Sequence, residues 1–232
     1  MLKKAETMRD IRGISFCRRG PWLTHLLFID DSLIFCGAND NECQKLLEIL
    51  ALYERASRQQ INCLKTTLFF SKSTSQAMQD SIKVALRVQV VQQYENYLGL
   101  PSFIGRGKKV SFDNIKQRVW KKLQGWEWKL LSQAGREVLI KAVAQTLPIY
   151  TMSCFKLPVG LCHEIEGLIR KFFWDQRRDS RKVHWIKWED LCKLKAQGGM
   201  EFKDLLKFNN ALLAKQTWHL LHDKSSLFYR VF

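Results

Sequence analysis

Residues 22–35 place short apolar runs on both sides of two adjacent aspartates, Asp30 and Asp31. Each run is rich in Leu, Ile and Phe, so the pattern predicts a β-hairpin with the acidic pair at its tip. Gly20-Pro21 punctuates the chain before it and Gly37 after it. Asn39 then reads as the cap of a helix, with Glu42 three residues on to complete a capping box. Leu46, Leu47, Ile49, Leu50 and Tyr53 form one apolar face at helical spacing. Residues 65–72 read as a further strand, 75–86 as a second amphipathic helix, and 94–101 as a strand ending at a turn.

After Gly107 the period changes to that of helices. Ile115, Val119 and Leu123 stripe one helix at i, i+4, i+8, while Lys116, Arg118, Lys121 and Lys122 crowd its other faces. Ser132 opens the next, which is expected to turn Val138, Leu139, Ala142 and Val143 inward. A third helix covers residues 161–174, with Ile165, Leu168, Ile169, Phe172 and Phe173 apolar, and the last runs from about Asp204 to His222. The fold class expected is α+β, with an antiparallel sheet and packed helices first and a mostly helical part after. The change of period near residue 101 is the expected domain boundary.

Composition fits globular material, with 46% hydrophobic residues. No segment approaches the roughly 20 apolar residues of a membrane helix. The polar start, Met1-Leu2-Lys3-Lys4, lacks the apolar core of a signal peptide, so an intracellular protein is expected. Seven scattered cysteines without a C-x-x-C pair read as reduced thiols. His184 with Cys192, and His219 with His222, are weak metal-ligand pairings, and neither has a second pair at zinc spacing.

Charge changes the picture. The net charge is +16, unevenly spread: 13 bases against 10 acids in residues 1–100, 10 against 3 in 101–150, and 15 against 9 in 151–232. Such an excess fits either an anionic polymer, whose counterions it would release, or simply a solvated basic surface.

The adjacent aspartates carry the candidate chemistry. Nucleotidyl transfer uses divalent metals held by hard carboxylate oxygens on a rigid support, and a hairpin tip is such a support. The same pair also fits a solvated turn.

Three stretches add to this. Residues 24–35 run Thr-His-Leu-Leu-Phe-Ile-Asp-Asp-Ser-Leu-Ile-Phe, residues 60–66 Gln-Ile-Asn-Cys-Leu-Lys-Thr, and residues 97–101 Tyr-Leu-Gly-Leu-Pro. In this order they resemble three successive motifs of the reverse transcriptases of plant LINE-type (non-LTR) retrotransposons. Residues 130–136 and Gly198-Gly199-Met200 extend the resemblance. It implies a partial palm over residues 1–100, a basic helical thumb over 101–150 and a helical extension over 151–232.

By the same resemblance Asp30 is a direct ligand of Mg²⁺ or Mn²⁺ and Asp31 supports the site. Lys65 lies near the incoming triphosphate, and Tyr97, Leu98 and Gly99 position the primer end. Lys108, Lys109, Lys116, Arg118, Lys121 and Lys122 contact phosphates of an RNA template and DNA primer paired as a hybrid. A surface lysine at Lys65 and core or turn roles for Tyr97, Leu98 and Gly99 remain open. Trp120, Trp126 and Trp128 fit base stacking or burial.

The sequence also departs from the family. Ile29 stands where a small residue is common. Arg58, Arg87, Trp128, Asp175, Arg178 and Glu201 stand where relatives often carry glycine, and a side chain there is strained if φ is positive. The family's further catalytic aspartate has no counterpart before Trp22; Asp10, in Arg-Asp-Ile-Arg, does not resemble it. The isolated chain is therefore expected to be inactive unless an N-terminal polymerase half complements it. A non-catalytic, basic nucleic-acid-binding remnant is the alternative.

Overall fold

The computed structural model describes residues 1–17, 20–29, 31–91, 96–101, 108–127, 131–174 and 184–231. They divide into two compact units, residues 1–102 with 224–232, and residues 103–223. The class is α+β.

The first unit begins with α1 (Leu2–Thr7), β1 (Ile14–Ser15), β2 (Trp22–Leu23), β3 (His25–Phe28) and β4 (Asp31–Ile34). Next come α2 (Asp40–Ser57), β5 (Thr67–Leu68), α3 (Gln76–Leu86), β6 (Gln89–Val90), β7 (Asn96–Tyr97) and β8 (Leu100–Pro101). Among the described residues the strands make four two-stranded ribbons; β5–β6 is parallel and the other three are antiparallel. The strand expected over 65–72 is thus reduced to two residues. The strand expected over 94–101 is a hairpin, with its turn inside the segment at Leu98-Gly99.

Asn39 caps α2 as expected, its Oδ1 accepting from the Glu42 N–H at 2.8 Å. The other half of the capping box is redirected. Glu42 accepts from the N–H groups of Gly37 at 2.7 Å and Arg12 at 3.1 Å, and so ties three segments together. The buried cluster here is small: Ala5, Ile11 and Leu46, with Leu2, Ile34, Cys36, Ile49 and Leu50 against it. Tyr53, expected on this face, is exposed.

The second unit holds α4 (Lys108–Glu127), α5 (Gln133–Leu139), α6 (Ile149–Cys154), α7 (Val159–Trp174), α8 (Trp188–Leu191) and α9 (Leu205–His222). A short helix, α10 (Leu227–Val231), returns to the first unit. Ile115, Val119 and Leu123 of α4 are buried, as their stripe predicts, and join Ile165, Ile169, Phe172 and Phe173 of α7 in one core. Each such side chain contributes about 1.5–3 kcal/mol on burial.

The segment after Ser132 turns differently from expectation. Ser132 caps α5, but the helix continues into a π-helical segment, Ile140–Ala144, closed by the Gln145 N–H on the Ile140 carbonyl at 2.9 Å. Arg136, Ile140 and Ala144 point inward, while Val138 and Ala142 are exposed.

Three buried polar side chains join these helices. Arg136 donates to the Phe173 carbonyl at 3.1 Å, satisfying an orphan acceptor at the end of α7. Glu166 accepts from the Leu205 N–H at 2.8 Å, where α9 begins. Asn209 accepts from the Leu157 N–H at 2.9 Å and donates to the carbonyls of Met152 and Phe155 at 2.7 and 2.9 Å.

Candidate functional site

The hairpin forms where the apolar pattern places it. His25, Leu26, Leu27 and Phe28 face Ile34, Leu33, Ser32 and Asp31 in turn. That register leaves two residues of sequence, 29 and 30, between the strands. Ile29 lies in the left-handed region at φ 51°, the sign a two-residue hairpin loop needs at its first position. A β-branched side chain there is strained. Asp31 is therefore not a tip residue, as expected, but the first residue of β4, opposite Phe28 and exposed. Asp30 lies outside the described residues.

The apolar strands anchor only the base of the hairpin. Thr24, at its foot, is buried and its hydroxyl donates to Glu6 of α1 at 3.1 Å. Towards the loop Leu27 is 64% exposed and Ile29 88%. The strands are thus covered near the foot, where Thr24 is buried and Leu26 and Ile34 are half-buried, and open beside Asp31.

Lys65 sits on a turn shaped by Asn62. The Asn62 Oδ1 accepts from the N–H of Leu64 at 3.1 Å and of Lys65 at 3.2 Å, and its carbonyl accepts from the Thr66 N–H at 3.0 Å. The Lys65 side chain is exposed. Among the described residues no hydrogen bond or ion pair joins it to Asp31. Tyr97 and Leu100 pair across β7–β8, and Leu98 at φ 52° with Gly99 at φ 74° makes a primed turn. Tyr97 and Leu98 are half-buried and Gly99 is exposed.

The cations of α4 separate into two groups. Arg118, Lys121 and Lys122 share one face at i, i+3, i+4 spacing, all exposed, with no ion pair among the described residues. Lys116 faces elsewhere: its Nζ donates to Glu164 of α7 at 2.8 Å and lies 3.5 Å from Asp113. The Glu164 hydrogen bond, opposed by partial desolvation, holds its ammonium above the usual lysine range. The backbone of Lys108 and Lys109 begins α4, and their side chains lie outside the described residues. Trp126 packs on Phe172 with centroids 6.1 Å apart, Trp120 is exposed, and Trp128 lies outside the described residues.

His184 stacks on Trp174, and burial pushes the Cys192 thiol up to about 12. No group of three His, Cys, Asp or Glu among the described residues could hold a metal ion. Asp31 is a donor of the right kind for a hard cation, yet the described donors alone do not make a magnesium site. No helix among the described residues is long and apolar enough to cross a membrane.

Compared with known proteins, the chain matches no family model. It is 36% identical over 128 residues to an Arabidopsis thaliana protein provisionally named a ribonuclease H protein, covering 55% of this chain and 21% of that one. It is 42% identical over 86 residues to an uncharacterized mitochondrial protein of the same plant, covering 37% of this chain and 56% of that one. These relatives are plant proteins. The chain spans about a fifth of the first and just over half of the second.

Proposed function

We propose that this chain is the part of a plant LINE-type reverse transcriptase that runs from the end of the palm through the thumb, and that it grips an RNA–DNA hybrid. The observation that carries the reading is the β3–β4 hairpin, in which Asp31 heads β4 opposite Phe28 and is exposed. The order of the three sequence motifs and the exposed Arg118, Lys121 and Lys122 face agree with it. Likeness to plant proteins, one of them named for a ribonuclease, supports the plant and nucleic-acid parts.

In a complete site Asp30 and Asp31 would hold Mg²⁺ or Mn²⁺, which supplies charge neutralisation for nucleotidyl transfer. These residues offer two adjacent carboxylates and lack the family's third, so we assign the 232 residues binding without catalysis. A primed RNA template with deoxynucleotides and Mg²⁺ or Mn²⁺ tests this: no extension is expected. Extension that Asp30→Asn abolishes would overturn it.

A second reading, a basic nucleic-acid-binding remnant that no longer engages the primer end, rests on the same α4 face, which needs no metal. The two part on the hairpin. A palm remnant contacts the primer end, so Asp31→Lys alters the affinity for a recessed primer–template relative to a blunt hybrid; a simple binder treats both alike.

A further inference from the structure

The second half of α9 carries a surface that the reading above does not use. Beyond Asn209 no residue of this helix is buried. Trp218 is 62% exposed, and Leu221 next to it is equally open. An indole left this bare is uncommon, because its apolar body stabilises a protein most when covered.

One side of the ring is already taken. His222, four residues on, stacks against it with centroids 3.9 Å apart and planes 24° from parallel. The His222 Nδ1 lies 2.9 Å from the Trp218 carbonyl, which can only accept, so Nδ1 carries the proton and holds the imidazole in place. The other side of the indole leans towards the start of the helix, as helical side chains do. There the neighbours on α9, four and three residues before it, are Ala214 and Lys215, both exposed.

Within α9 the charged residues have one sign, and Asp223 follows the helix at its cap. The 18 residues of α9 contain no Asp or Glu. Lys207 is held by Asp204 at 3.0 Å, but Lys215, three residues before Trp218, is exposed and makes no ion pair among the described residues. A flat ring with one open face beside a cation fits a partner that is both planar and anionic. Duplex bases are stacked inward, so the partner must offer an unstacked base.

We propose that Trp218 is a stacking platform for single-stranded nucleic acid, with Lys215 on the neighbouring phosphate. The site is independent of the α4 face, which needs only a duplex backbone.

The test compares a fluorescein-labelled oligothymidylate with an abasic strand of the same length by anisotropy. The abasic strand keeps the phosphates and removes the bases, so the wild-type protein alone gives the first answer. It should bind the oligothymidylate about fivefold or more tightly than the abasic strand. Trp218→Ala should erase that preference and Trp218→Phe should keep most of it, with duplex affinity changing less than about twofold in either. Equal binding of the two strands by the wild type, or an unchanged preference in Trp218→Ala, would overturn the proposal. So would a change of oligomeric state in Trp218→Ala with strand binding intact, because the ring would then belong to a contact between copies. Failure of the α4 reading shows separately, as duplex binding indifferent to reversal of Arg118, Lys121 and Lys122.

Discussion

Lys116 of α4 and Glu164 of α7 are joined by a 2.8 Å hydrogen-bonded ion pair, which draws Lys116 away from the helix's cationic face. The pair is about one-third exposed on each side, where solvent screens it, so its contribution to stability is small. Its consequence is directional. Lys116→Gln should lower the stability of the helical unit slightly in urea titrations and change duplex affinity less than about twofold. A large loss of binding with unchanged stability would put Lys116 back among the phosphate contacts.

Arg58 and Arg87 close α2 and α3 in the left-handed conformation, at φ 59° and 54°. Glycine is the residue this cap favours, because a Cβ there meets the carbonyl. Arg58→Gly and Arg87→Gly should each stabilise the first unit by about 0.5–1 kcal/mol. Replacement by alanine, which keeps the Cβ, should not. Thermal melts of the four variants check this, and equal melting temperatures for the glycine and alanine forms would contradict it.

Asn209 is buried and spends its whole amide on the backbone around the end of α6. Asn209→Ala leaves one N–H and two carbonyls unpaired in the core and should cost about 3 kcal/mol. Urea unfolding followed by helical circular dichroism measures it. A cost below about 1 kcal/mol would mean that water replaces the lost bonds.

Glu42 gives a pH dependence. Partial burial pushes its carboxyl up, but the N–H groups of Gly37 and Arg12, with the Asn39 amide, outweigh that and hold it below the usual glutamate range. A depressed folded value means that its contribution is present above the unfolded value of 4.5 and is lost as pH falls through the folded one. Glu42→Gln should therefore destabilise by about 1 kcal/mol at neutral pH and by less in acid. A deficit that stays constant with pH would refute an ionised anchor.

Much of the fold was legible because periodicity reports burial directly. Ile115, Val119 and Leu123, and the helices after Ser75 and Asp204, lie where their patterns put them. The segment after Ser132 did not, because its buried line runs through Arg136, a cation that breaks the apolar pattern, and a π-helical segment follows it. Glu166 and Asn209 were missed for the same reason: a polar residue on an inward face looks like a solvated one until its backbone partner is in view.

The resemblance reached further than the pattern at the missing glycines. Arg58, Arg87 and Glu201 do sit at positive φ, while Trp128, Asp175 and Arg178 lie outside the described residues. At the candidate site the hairpin itself was legible and its register was not. Which residue of Phe28-Ile29-Asp30-Asp31 begins β4 depends on the pairing of Phe28 with Asp31, and alternation of side chains alone does not fix that.

The proposed grip on a hybrid is tested most directly by reversing the exposed face of α4, Arg118→Glu with Lys121→Glu and Lys122→Glu. The affinity for a labelled RNA–DNA hybrid is measured by anisotropy across a salt series. The affinity should fall at least tenfold at low salt, and the log–log salt slope should lose about three units of steepness, one for each cation removed. An unchanged affinity and slope would contradict the reading of this helix as a nucleic-acid-binding thumb.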